Sequence, residues 1–169
     1  MTRTKWFVLS SVALAIGAGC GGGTTEPGTQ TFSATLNGAS ERPTPNVTTA
    51  AGTGTFTLSP DGNTLTWNVT TSGLNNVIAS HIHIGGTEIA GPIVLPLYAA
   101  AKSNNPAISG SITRAAFTSP LGVSFDGLID LMKQGDTYVN VHTDDGVAPA
   151  NTGPGDFPGG EIRGKIILQ

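Results

Sequence analysis

The sequence predicts an all-β domain, an antiparallel, Greek-key-like β-sandwich with one short helix. Seven or eight short runs alternate apolar and polar side chains, the pattern of strands with one buried face. Turn formers separate these runs at short intervals, as antiparallel strands require. The chain is also poor in charge, with 11% Asp, Glu, Lys and Arg, and rich in glycine, with 24 residues. That composition suits strands and turns better than helices.

The N-terminal residues stand apart from this pattern. Met1-Thr2-Arg3-Thr4-Lys5 is a short cationic leader, and an apolar run from Trp6 to Ala18 follows it. A basic start, an apolar stretch of this length and small residues at its end read as an export signal over residues 1–19. Cys20 is the single cysteine, set between Gly17-Ala18-Gly19 and Gly21-Gly22-Gly23. This arrangement is similar to a bacterial lipoprotein signal, in which the cysteine becomes the lipid-modified N-terminus. It departs from that motif in having Gly17 where Leu is usual. The expectation is an exported protein of the bacterial cell envelope, lipid-anchored to a membrane through Cys20. Residues 20–30 lack apolar periodicity and read as the lipidated cysteine and a flexible tether, and 31–169 as one domain. One cysteine excludes an internal disulfide framework. Loss of the leader removes Arg3 and Lys5, leaving six basic residues against eleven acids, a net charge of −5. A chain so charged has no electrostatic footprint for nucleic acid.

Strands are predicted over Thr31–Leu36, Gly52–Leu58 and Thr64–Thr70, the last two joined by a Ser59-Pro60-Asp61-Gly62-Asn63 turn. Between the first two lies a loop of turn formers that contains Glu41, Pro43 and Pro45. Further strands are predicted over Val77–Ile84, Ile93–Leu97 and Ile108–Thr113. Pro96 confines Ile93–Leu97 to an edge or a strand end. Ser124 caps a predicted helix with Phe125, Leu128, Ile129 and Met132 at helical spacing and Gly135 as its stop. Thr137–Thr143 and Gly160–Leu168 complete the strands, separated by a long Asp/Gly/Pro loop. In the last strand, alternation sends Ile162, Ile166 and Leu168 to one face.

The candidate chemistry centres on three histidines. In Ala79-Ser80-His81-Ile82-His83-Ile84-Gly85, His81 and His83 occupy alternate positions, so an extended strand points both to one face with Cα atoms roughly 6.5–7 Å apart. Ile82 and Ile84 point to the core. His142, the third histidine, shares a face with Tyr138 and Asn140, opposite Val139 and Val141. Glu161 and Arg163 share a face of the last strand. If these strands are neighbours, three neutral imidazoles converge on a site suited to copper or zinc, with a position left for another ligand. Glu161 could then fix an imidazole tautomer or ligate directly, and Arg163 could pair with that carboxylate or attract an anion, with Asn140 beside them. On their own, Glu161 and Arg163 read as a structural ion pair. Asp144, Asp145 and Asp156 offer a weaker Ca²⁺ alternative, because their spacing matches no EF-hand and a solvated loop explains them.

Several of these stretches together resemble the CHRD domain, the module named after chordin. They are Phe32, Ala34, Leu36 and Gly38 with Glu41 and Pro43; Ala51-Gly52 and the hairpin; His81-Ile82-His83 and Gly85 with Gly91-Pro92-Ile93-Val94; Tyr138 to Thr143; and Gly159 to Gly164. The resemblance covers about residues 31–168 and includes His81, His83, His142, Glu161 and Arg163 as one constellation. It departs from the family pattern at Thr44, where a second Pro is frequent, and in an enlarged loop before Glu161. It implies an extracytoplasmic domain, generally without an assigned enzymatic activity. A thinner resemblance, to copper-zinc superoxide dismutase, rests on His81-Ile82-His83, His142 and Arg163; that enzyme uses more histidines than this chain has. Three functional readings follow, with metal binding through His81, His83 and His142 placed first. The second is a copper-dependent redox enzyme, and the third a protein-interaction module whose histidines are only structural.

Overall fold

Alternation carries most of the observed architecture. A computed structural model describes Met1 and residues 28–169, so the leader, Cys20 and most of the tether lie outside the described residues. Among these residues the strands are β1 (Gln30–Asn37), β2 (Ala51–Leu58), β3 (Thr64–Ser72), β4 (Val77–Ile84), β5 (Ile93–Ser103), β6 (Ile108–Thr113), β7 (Thr137–Thr143), β8 (Ile162–Lys165) and β9 (Ile167–Leu168). The helix α1 (Phe125–Gln134) precedes β7. Its predicted signals are all in use: the Ser124 side chain accepts the Gly127 N–H, and Gly135 ends the helix in the left-handed region at φ 72°. Glycine meets that backbone requirement without the usual Cβ penalty.

All strand pairs are antiparallel, in the order β5-β4-β7-β8-β1-β2-β3-β6, with β9 beside β1. The all-β prediction therefore holds, but the two expected layers form one hydrogen-bonded path. β8 provides the junction, pairing with β7 over four positions and with β1 only at Asn37↔Arg163. The outer strands β5 and β6 lie close together, so the sheet is nearly closed. A single apolar core fills it, drawing Phe32, Phe56 and Leu65 from one half and Ile82, Val139 and Ile162 from the other. Leu128, Ile129 and Met132 of α1 belong to the same core.

Two strand limits differ from the sequence reading. β5 continues through Ser103, beyond the predicted end at Leu97. Its later residues are small and exposed, so they carry no burial pattern, and pairing such as Ala79↔Ala99 holds them. The C-terminal strand breaks at Ile166, whose N–H donates to Thr137 O at 3.0 Å while its side chain is fully buried. After that break the chain turns to β1, and Leu168, expected on one face with Ile162 and Ile166, is 43% exposed.

β4 carries His81 and His83. It is flanked by β5 and β7, and the register with β7 is regular from Ala79 to Ile84. Pro96 lies in the edge strand β5, as proline's missing N–H requires.

Candidate metal centre

The β4–β7 register places Ala79 opposite His142, His81 opposite Asn140 and His83 opposite Tyr138. Side chains two positions apart on one face are diagonal neighbours across a strand pair. Fully buried Ile82 anchors the opposite face in the core. One ring nitrogen from each of His81, His83 and His142 lies within 4.8 Å of the other two. His81 Nδ1 and His142 Nε2 are 3.0 Å apart.

Backbone carbonyls determine two of the tautomers. His83 Nδ1 is 2.8 Å from Gly91 O, and His142 Nδ1 is 2.9 Å from Pro158 O. A carbonyl can only accept, so both Nδ1 atoms carry the proton and both Nε2 atoms present a lone pair. His83 Nε2 is buried and makes no close hydrogen bond, with the Asn140 side chain beside the ring. An orphaned buried acceptor is costly by itself, and it fits a cation as its partner.

Burial lowers the pKa of all three imidazoles. His81 falls to about 4, through burial and then the neighbouring His142 and His83. Burial is also the main cause for His83 and His142, with the hydrogen bonds to Gly91 and Pro158 opposing it. The cluster is therefore neutral at pH 7, the state in which imidazole donates to a metal.

Tyr138 supports His83 from β7. Its ring stacks on the imidazole at 4.8 Å between centroids, 11° from coplanar. Its hydroxyl receives the Gly91 N–H at 3.0 Å and lies 3.3 Å from Gly91 O. Gly91 thus orients both rings, and only a residue without Cβ fits there, since that atom would lie 1.6 Å from Ile84 O. The Arg163 guanidinium sits 3.3 Å from the centroid of the Tyr138 ring, a cation–π contact.

Glu161 lies elsewhere than its strand position implied. It is fully buried, with Oε1 accepting from Thr48 Oγ1 at 2.7 Å and Oε2 from Thr143 Oγ1 and Gly155 N at 2.8 Å. Pro158 O takes the place expected for this carboxylate beside an imidazole, and Glu161 secures the loop that carries Pro158. The expected Glu161–Arg163 ion pair does not form among the described residues. Arg163 instead donates from Nη2 to Gly86 O. Asn140, paired with both His81 and Arg163, is buried, and its carbonyl accepts the Ser80 hydroxyl at 2.7 Å.

Glu41, which the sequence places in a turn-rich loop and in a stretch that resembles the CHRD domain, is 3% exposed, and its Oε1 has no partner. Burial raises its pKa to about 7, with Arg163 opposing. An acid raised in this way contributes stability that is present below its unfolded value of 4.5 and is lost as pH rises through 7. That loss is about 3 kcal/mol at 1.36 kcal/mol per pH unit. Glu41→Gln is therefore expected to gain about 3 kcal/mol relative to the unsubstituted chain between pH 4.5 and 8, measured by denaturant unfolding of metal-free protein. A pH-independent difference would contradict this assignment.

The second acidic group also has a structural role. Asp144, Asp145 and Asp156 approach within 4.8 Å. Asp144 accepts the Gly146 N–H, Asp145 the Val147 N–H, and Asp156 the amide and hydroxyl of Thr152. These bonds shape the loop.

The family model of the CHRD domain matches residues 32–166. The chain belongs to the CHRD family. The match begins within β1, ends at buried Ile166 and contains all three histidines, Tyr138, Gly91 and Glu41. No curated protein matches the chain. The geometry of this CHRD domain thus adds Pro158 to the residues that sequence reasoning singled out, and gives roles to Gly91, Tyr138 and Glu41, which were named there without one. Pro158 has no local signal, whereas Gly91 is marked by the Gly91-Pro92 turn pair after the histidine strand.

Proposed function

We propose that this CHRD domain binds one transition-metal ion, copper or zinc, through His81 Nδ1, His83 Nε2 and His142 Nε2. The carrying observation is the orphaned Nε2 of His83, buried beside two other imidazole nitrogens and held in the donor tautomer by Gly91 O. Three neutral nitrogens suit copper or zinc and are a poor set for calcium or magnesium, which take oxygen ligands. A bound ion would supply Lewis-acid or, with copper, one-electron chemistry. The chain's residues hold the imidazoles neutral, orient them and bury them, which supports a binding or storage role ahead of catalysis. The leader and Cys20 support a place in the bacterial envelope, on a lipid anchor.

Elemental mass spectrometry tests the metal on the chain from Gly21, prepared without an affinity tag. Near-stoichiometric copper or zinc is expected, and loss of it in both His81→Ala and His142→Ala. A metal-free protein after reconstitution, with both variants folded, would overturn the proposal. The anchor is tested separately by labelled palmitate, which should enter the full chain and be absent from Cys20→Ser.

A further inference from the structure

A cavity of about 340 Å³ is lined by Ser40, Arg42, Thr87, Glu88, Lys165 and the Arg163 that covers Tyr138. Only six Lys and Arg follow the leader, in a chain with eleven acids, yet three of them line this space. The concentration runs against the chain's overall charge.

Arg163 is the unusual member. It is 2% exposed, and its Nη1 is buried with no hydrogen-bond partner. Nη2 donates to Gly86 O, and Tyr138 covers the guanidinium. Among the described residues no carboxylate forms an ion pair with it. A buried cation without a counter-charge is strongly disfavoured unless other contacts compensate. Tyr138 compensates in part. Glu41 is a buried acid whose charge acts on Arg163, but burial drives it toward the neutral form.

Arg42 adds a second guanidinium. Its Nη1 is used by the carbonyls of Ala39 and Glu41, and its Nε faces Glu88 Oε2 at 3.3 Å. Glu88 has a 76% exposed side chain, so this pair is worth little in water. Lys165 lines the same cavity, with its ammonium near Gly135 at the end of α1.

We propose that this cavity binds a small oxyanion between the guanidinium groups of Arg163 and Arg42, with the Glu88 carboxylate as the internal group that the ligand displaces. Guanidinium forks match the oxygen spacing of phosphate and carboxylate, and such charge-assisted bonds are the strong class. The site requires no metal and stands independently of the histidine reading.

The test titrates inorganic phosphate, and separately acetate, into the metal-free, ¹⁵N-labelled chain from Gly21 at low ionic strength. Saturable shifts are expected at the Arg163 side-chain Nε–H and at the amides of Gly86 to Glu88. Arg42→Ala should weaken binding about tenfold, and Glu88→Gln should tighten it about three- to tenfold by removing the competitor. Amide shifts in the β2–β3 hairpin report that each variant is folded. Binding of phosphate alone identifies a tetrahedral ligand, and binding of acetate as well a carboxylate; either supports the site. Absence of saturation by about 20 mM of either anion, or saturation that Arg42→Ala and Glu88→Gln leave unchanged, overturns it.

Discussion

Replacing His83 by alanine is expected to lower the affinity for copper or zinc by about two to three orders of magnitude. Structural zinc sites with four ligands contribute roughly 10–16 kcal/mol, so one ligand accounts for about 2.5–4 kcal/mol. His83 supplies the Nε2 that makes no close hydrogen bond, and its loss leaves two of the three imidazoles. The fold should survive, because the ring's main losses are its stack on Tyr138 and its bond to Gly91 O. Together these are worth about 1–2 kcal/mol. Competition against a chelator of known affinity measures the change, and circular dichroism checks the fold. An affinity within tenfold of the unsubstituted domain would mean that other residues hold the ion.

The largest effect on stability is expected from Gly91→Ala. The new Cβ would lie 1.6 Å from Ile84 O, a backbone atom that no rotamer change can avoid. The chain must move, taking with it the carbonyl that orients His83 and the amide that binds Tyr138. A loss of roughly 3–4 kcal/mol is expected, or about 10 °C in Tm for a domain of this size. Metal affinity should fall about 10- to 100-fold as well, the usual effect of disturbing a ligand's supporting bond. Gly86→Ala provides the control, because a Cβ there meets nothing within 4 Å. Thermal unfolding of both metal-free variants separates the outcomes: a Tm loss for Gly91→Ala no larger than that of Gly86→Ala would contradict the geometry.

The parts of this fold governed by side-chain alternation were legible in the sequence. His81, His83 and His142 share one face because period-2 alternation permits nothing else once Ile82, Val139 and Val141 are committed to the core. The helix was equally legible, since Ser124, the apolar spacing and Gly135 act locally. Backbone partners were not legible. Gly91 O and Pro158 O orient two imidazoles, but every residue has a carbonyl and no residue type announces which one arrives. Glu161 illustrates the same limit. Its strand position pointed toward the histidines, and its carboxylate went to Thr48, Thr143 and Gly155, across loops whose paths no local pattern encodes. The break at Ile166 was hidden because Ile162, Ile166 and Leu168 continue an alternation that the turn toward β1 ends. Glu41 was named through the family resemblance, but its burial was hidden because a single acid in a loop of turn formers carries no local sign of it.

Anomalous diffraction from crystals of the metal-loaded domain, recorded on both sides of the copper and zinc edges, tests the central claim most directly. One peak is expected within bonding distance, about 2.0–2.1 Å, of His81 Nδ1, His83 Nε2 and His142 Nε2, appearing at the edge of the metal supplied. A peak at Asp144, Asp145 and Asp156 instead, or none at the histidines under saturating metal, would contradict it.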